Sequence, residues 1–342
     1  MLGVRDVPRG AIAAGIVLAL VAVVVGVLGG PIRIPAGGAV VELIDLIPGV
    51  DLDSGLTSTE ATILLELRLP RVVLALLVGG LLALAGGAYQ GVFRNPLADP
   101  YLLGIAAGAG LGATIAFVVD GSDAWVPAAA FVGALVAVGA SAIIAGSIKG
   151  GSRGPTLILA GVAMASFLTA VQTWLQQRDA ETLRQVYAWI LGRLSTVGWG
   201  EVGILVPYAV VAGAVLLLHG RLLDVMAFGD DEAGSLGVEV GRVRWTVLAA
   251  ASLATAAAVA VSGLIGFVGI VIPHAVRLLV GTSYRAILPL SLLGGGAFLV
   301  LADLLARTVA APSEVPIGVI TAFVGAPFFL FVLYRQGTED AW

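Results

Sequence analysis

Apolar runs of about twenty residues recur along this chain, separated by short polar connectors. A helix crosses the hydrocarbon layer of a bilayer, about 30 Å thick, with about 20 mostly apolar residues rising 1.5 Å each. On that rule the pattern predicts ten spans, at 11–29, 72–93, 102–119, 124–147, 155–175, 202–218, 245–261, 263–281, 286–306 and 315–334. The stretch 245–276 is uncharged throughout and too long for one crossing, so a tight reversal is placed near Ser262-Gly263. The first span exceeds the roughly 7–15 apolar residues of a cleaved signal and is read as retained. The fold class is therefore all-α and polytopic, one transmembrane domain over 1–342, with an acidic, Pro/Gly-rich outer loop at 31–66.

A polar island stands at 221–244, between the sixth and seventh spans. Gly229-Asp230-Asp231-Glu232 reads as a helix start, its carboxylates opposing the positive end of the helix dipole. Leu236-Gly237 then supplies the left-handed closing position. A helix of one to two turns outside the membrane is expected here, either a handle for a partner or a solvated connector. Cation asymmetry sets the orientation. With the N-terminus inside, Arg5, Arg9, Arg94, Lys149, Arg153, Arg221, Arg242, Arg244, Arg277, Arg285 and Arg335 are cytoplasmic. Arg33, Arg68, Arg71, Arg178, Arg184, Arg193 and Arg307 are outside, and the island and both termini fall in the cytoplasm.

Composition agrees: 59% of residues are hydrophobic and 12% charged, against about 25% charged in soluble domains. Gly79, Ala83, Gly87 and Gly91, like Gly104, Gly108 and Gly112, recur every four positions and predict close helix packing. The net charge of −4 argues against a nucleic-acid partner, and the absence of cysteine excludes thiolate metal sites. The sole lysine, Lys149, precedes Gly150, so no Gly-Lys-Ser/Thr phosphate loop exists and the chain is not read as an ATPase or other enzyme. An ion-coupled secondary transporter would want paired acids at depth. Asp303 is the one carboxylate well inside a span, and Arg307 lies one turn away to pair with it. His274 follows Pro273 within a span, and with His219 the only other histidine no metal cluster is visible. Pro273 frees a backbone carbonyl, which His274 or Asn95 is expected to help satisfy.

The segment 68–112, RLPRVVLALLVGGLLALAGGAYQGVFRNPLADPYLLGIAAGAGLG, carries a resemblance. So do Leu159-Ala160-Gly161-Val162, the island with Gly229 and Leu236-Gly237, Gly263-Leu264-Ile265-Gly266-Phe267-Val268-Gly269 through Pro273-His274, Leu301-Ala302-Asp303 to Arg307, Val315-Pro316-Ile317-Gly318, and Gly325-Ala326-Pro327. In this order they resemble the FecCD/BtuC permeases, the type II ABC importers of iron–siderophore complexes, haem and vitamin B12. The resemblance implies ten helices per subunit, a second permease subunit (two copies of this chain) forming one path, an ABC ATPase under each, and a cell-membrane location. ATP and Mg belong to the ATPase, and this chain holds no cofactor. The cargo would be a metal chelate, an iron–siderophore complex first, with cobalamin and haem as alternatives.

Residue roles carried over by the resemblance follow the same positions. Gly229, Asp230, Asp231, Glu232, Leu236 and Gly237 form a coupling helix for the ATPase. Arg68, Arg71 and Arg307 pair with carboxylates of a soluble binding protein, as arginine forks do. Asn95-Pro96-Leu97 resembles an inner gate. A second gate precedes the fifth span, where relatives carry small hydroxyl residues and this chain has Gly154-Pro155-Thr156. Gln172 and Gln176 are expected to face the polar pathway, and residues 185–194 to form a short outer helix.

Overall fold

The structure is a computed structural model and describes residues 9–47, 49–50, 52–120, 123–148, 153–177, 180–194 and 198–339. Arg5, Lys149 and Arg178 of the charge tally lie outside the described residues. In chain order the helices are α1 (Arg9–Leu28), α2 (Ala36–Asp45), α3 (Ser58–Thr62), α4 (Leu69–Phe93), α5 (Ile105–Asp120), α6 (Val126–Ser147), α7 (Arg153–Gln176) and α8 (Ala180–Ile190). They continue as α9 (Gly200–Leu218), α10 (Gly220–Met226), α11 (Asp230–Ser235), α12 (Val240–Ser262), α13 (Val268–Val280), α14 (Tyr284–Thr308) and α15 (Ile317–Glu339). A π-helical turn, Ile63–Arg68, joins α3 to α4 without a break.

Seven helical stretches are long and apolar enough to cross a membrane, and α5, α13 and α15 carry three shorter apolar ones. The ten correspond one to one with the ten predicted spans. The eighth differs most in length, and backbone geometry explains why. Gly263 ends α12 at φ 69°, and Phe267 also adopts φ 69°, so residues 264–267 run non-helically before α13 begins. At 1.5 Å per residue α13 rises about 20 Å, and the extended segment supplies the remaining depth.

Two regions hold more helix than their composition suggests. The loop at 31–66 contains α2 and α3, the latter started by a capping box in which Thr57 accepts from the Glu60 backbone and the Glu60 side chain accepts from Thr57. The short outer helix begins at Ala180, five residues earlier than expected, with Glu181 in its first turn and Thr182, Val186 and Trp189 buried.

The core is built on α4, apolar on all sides and buried along nearly its whole length, as such a helix must be. It is flanked by α14, α12, α13, α9 and α1. The small-residue rows are packing surfaces. A Cβ built on Gly79 would lie 2.3 Å from the Gly295 carbonyl oxygen in α14, and one on Gly86 1.9 Å from that of Gly269 in α13. On the other side of the molecule, Gly108 and Gly112 meet Gly133 and Ala129 of α6 in the same way.

Candidate functional site

The polar side chains concentrate at the two ends of this bundle. At one end stands α11. Gly229, at φ 132°, precedes it; Asp230, Asp231 and Glu232 occupy its first turn; Leu236 caps it and Gly237, at φ 83°, closes it. This is the short helix the sequence predicts. Its attachment was not anticipated. The Asp230 carboxylate accepts from Arg244 at 2.7 Å and lies 3.6 Å from Arg94. Arg244 was assigned to the loop; it belongs to the first turns of α12 and is buried there. Arg94 closes α4 in the left-handed conformation, φ 50°. Its amide donates to Gly91 and that of Asn95 to Gln90, the double bond of a Schellman ending. An arginine where glycine is usual costs roughly 1–2 kcal/mol of backbone strain.

Arg94 leads directly into Asn95-Pro96-Leu97, an exposed turn in which the Asn95 carboxamide oxygen accepts from the Leu97 amide at 2.9 Å. A cavity of about 340 Å³ sits beneath, lined by Val92, Phe93, Arg94, Gly154, Pro155, Asp230, Val240, Gly241 and Arg244. The structure thus brings α11, the end of α4 and the start of α7 around one space, with Pro155 exposed and Thr156 half-buried. On the same side Asp224 of α10 accepts from the Ser283 hydroxyl at 2.8 Å and from the Tyr284 amide, fastening α10 to the start of α14. Gln172 and Gln176 lie elsewhere. Both turn onto α5, Gln172 buried against Gly110 and Gln176 within 3.5 Å of the Thr114 hydroxyl.

At the opposite end the three arginines separate in role. Arg68 is 5% exposed and donates to the Val27 and Leu28 carbonyls in the last turn of α1 and to the Ile32 carbonyl in the connector beyond it. Arg307 is 4% exposed, pairs with Asp303 at 3.3 Å and donates to the Gly26 carbonyl. Terminal carbonyls of a helix have no partners within it, so these two guanidinium groups finish α1. Arg71 donates through Nε to Asp303 at 2.9 Å, and through Nη1 and Nη2 to the two carboxylate oxygens of Glu314, each at 2.9 Å. Glu314 lies in the connector after α14, and this fork holds its carboxyl below the ordinary value of 4.5. The expected Asp303–Arg307 pair is present; Arg71 and Glu314 extend it.

One expectation about the interior is corrected. The carbonyl freed by Pro273 is that of Gly269, and Gln90 of α4 donates to it at 3.4 Å. His274 accepts and donates no hydrogen bond through either ring nitrogen and packs edge-on to Phe328, while Asn95 is engaged in its own turn. Among the described residues no cluster of His, Asp or Glu suits a metal ion.

The model of the FecCD transport family matches residues 16–335. The chain belongs to the FecCD transport family. It is 44% identical over 281 residues to YvrB of Bacillus subtilis, described as an uncharacterized ABC transporter permease protein, with 80% of this chain and 79% of the relative covered. It is 42% identical over 304 residues to the cobalamin import system permease BtuC of Halobacterium salinarum, covering 88% and 81%. Among solved structures, an inward-facing ABC transporter assigned to the metal-chelate type superposes with a TM-score of 0.83 at 27% identity, covering 95% of this chain and 98% of the other. This FecCD protein is accordingly an ABC-importer permease and an integral membrane protein.

Several residues at the two ends escaped sequence reasoning. Arg94 carries no signal, because an arginine at a left-handed position departs from the glycine rule. Asp230–Arg244 and Arg71–Glu314 join positions 14 and 243 residues apart, which no local spacing encodes. Gln90 was findable, as the one carboxamide within an otherwise apolar helix.

Proposed function

We propose that this FecCD permease carries a metal chelate across the cell membrane, driven by a separate ATPase gripped at α11 and fed by a binding protein docked around Arg71. The observation that carries the reading is the ion-pair set at Asp230. It ties the exposed helix to Arg94, the residue before Asn95-Pro96-Leu97, so a handle and a gate segment share one joint. A pull on α11 reaches the end of α4 through the Arg94 contact and the start of α12 through the Arg244 contact. ATP and Mg are supplied on the partner, since the sequence has no phosphate loop. The arginines near α11, namely Arg94, Arg221, Arg242, Arg244, Arg277 and Arg285, make that end cytoplasmic by the positive-inside rule, and ten crossings bring both termini there. Two copies of the chain enclose the path.

For the cargo, an iron–siderophore complex is the first reading. Relatives named for iron(3+)-hydroxamate import and Fe(3+)-citrate import in Bacillus subtilis, at 36% and 34% identity, support it. Cobalamin is the second, favoured by the Halobacterium salinarum relative; haem follows from the 39% identical hemin permease of Yersinia pestis. The test is reconstitution in vesicles with an ABC ATPase and binding protein. The permease alone hydrolyses no ATP. The complex takes up one labelled chelate and not the others, and Asp230→Asn with Arg94→Gln leaves hydrolysis in place while reducing chelate moved per ATP. Hydrolysis by the permease alone, or uptake that persists without ATP and collapses on uncoupling, would end this reading.

A further inference from the structure

The Arg71 fork holds two carboxylates of unlike character. Asp303 is 1% exposed, fixed within α14 and shared with Arg307. Glu314 is 50% exposed and sits in a connector whose residues 309–314 are all exposed. It meets Arg71 side by side, oxygen to Nη1 and oxygen to Nη2 at 2.9 Å each, the geometry in which a guanidinium recognises any carboxylate. Arg71 keeps a side-chain exposure of 13% with Glu314 in place. The local charge follows. Arg68, Arg71 and Arg307 against Asp303 and Glu314 give +3 − 2 = +1, and moving Glu314 aside raises this to +2.

We infer that Glu314 is an internal stand-in for the binding protein's carboxylate: it occupies the Arg71 fork in the undocked permease and must leave for the binding protein to seat. This rests on the proposed docking at Arg71 and adds the residue that sets its affinity. Asp303 cannot exchange, because it is buried within α14 and leaving would take from the buried Arg307 guanidinium its ion-pair partner. Glu314 can, since its withdrawal returns an exposed carboxylate to water. Docking is then the exchange of one fork pair for another, with a net gain well below that of a newly made pair. It also keeps the fork from taking stray anions between docking events.

The probe is a purified binding protein that stimulates ATP hydrolysis by the assembled complex, with its dissociation constant measured on wild-type, E314Q, R71Q and E314Q/R71Q permeases in lipid discs. E314Q should lower Kd about 1.5–5-fold, the range expected when a competing pair of this exposure is removed. R71Q should raise Kd, and E314Q should have no further effect on R71Q. If R71Q weakens docking while E314Q leaves Kd unchanged or raises it, the stand-in is refuted and docking at Arg71 stands. If R71Q changes nothing, docking at Arg71 falls, and this inference with it. A second measurement needs no partner: phenylglyoxal should modify Arg71 several-fold faster in E314Q than in wild type, read by peptide mass spectrometry. Equal rates would show that Glu314 does not cover the fork in the membrane, and would also overturn it.

Discussion

Asp303 offers the sharpest test of how the Arg71 end is held. Its carboxylate is 1% exposed and lies 2.8 Å from Arg71 and 3.3 Å from Arg307. Asp303→Asn preserves shape and removes the charge. Removing one partner of a buried pair costs about 3–5 kcal/mol, because the other charge stays desolvated. Two features place this variant near the lower bound. Arg71 keeps the Glu314 carboxylate, and Arg307 keeps the Gly26 carbonyl. The expected loss is therefore about 3 kcal/mol, roughly a 150-fold shift in the unfolding equilibrium at 1.4 kcal/mol per decade. Asp303→Leu with Arg307→Met removes both charges and should recover most of the loss, since an apolar pair of similar volume carries no desolvation cost. The assay is reversible denaturation in mixed micelles, with each single variant and the double completing a cycle. Asp303→Asn within about 0.5 kcal/mol of wild type, the scatter of neutral substitutions, would refute the buried-network account.

Other outcomes follow from the same geometry. Arg68→Ala should loosen the end of α1 by about 2 kcal/mol, the worth of hydrogen bonds from a charged donor, read as faster amide exchange at residues 26–32 than in the rest of α1. Gly86→Ala should destabilise by at least the roughly 1–3 kcal/mol of an overpacked core, since its Cβ would stand 1.9 Å from a backbone oxygen; Gly37→Ala, with nothing within 4 Å of its Cβ, is the neutral control in thermal melts. Glu314 titrates below its ordinary 4.5 because Arg71 donates to it. A depressed carboxyl contributes stability above its unfolded value and loses it as pH falls through the folded one. The melting difference between wild type and Glu314→Gln should therefore be full above about pH 5 and vanish in stronger acid.

The spans were legible because hydrocarbon thickness fixes their length and the chain writes that length ten times. The close approaches of Gly79, Gly108 and Gly112 were equally open to reading, since only packing explains small residues at a four-residue period on a membrane helix, whereas Gly86 lies off that row. The α11 helix could be seen because its start and stop are local: acids in the first turn, glycine after the last. The same reasoning failed at 31–66, where Pro and Gly content masked α2 and α3, although Thr57 and Glu60 spelled a capping box. The site was harder. Arginine was recognised at 68, 71 and 307, but the pattern could not say that two of the three turn inward onto α1, because that depends on where a helix 40 residues upstream ends. The glutamines of α7 show the same limit: polarity marks a residue as needing a partner, and only the fold shows that α5 supplies it.

A single element joins the two ends. α4 carries Arg71 in its first turn and is closed by Arg94, about 35 Å of unbroken helix between the Glu314 pair and the Asp230 pair. Its flanks leave no slack. Backbone meets backbone at Gly79 and Gly86, and the Tyr89 hydroxyl is bonded to Ser252 of α12 at 2.7 Å in a fully buried setting. Interlocked surfaces of this kind shift together or not at all, since sliding one past the other would drive carbonyl oxygens into Cβ positions. α4 with α14, α13 and α12 therefore behaves as one block. What lies outside the block is less constrained: α7 and α15 turn many large apolar side chains outward, among them Leu159, Phe167, Phe323 and Leu330. If the molecule moves in parts, the boundary between these helices and the block is where this packing offers least resistance, and at the α11 end the cavity between Arg94 and Pro155 lies on that boundary.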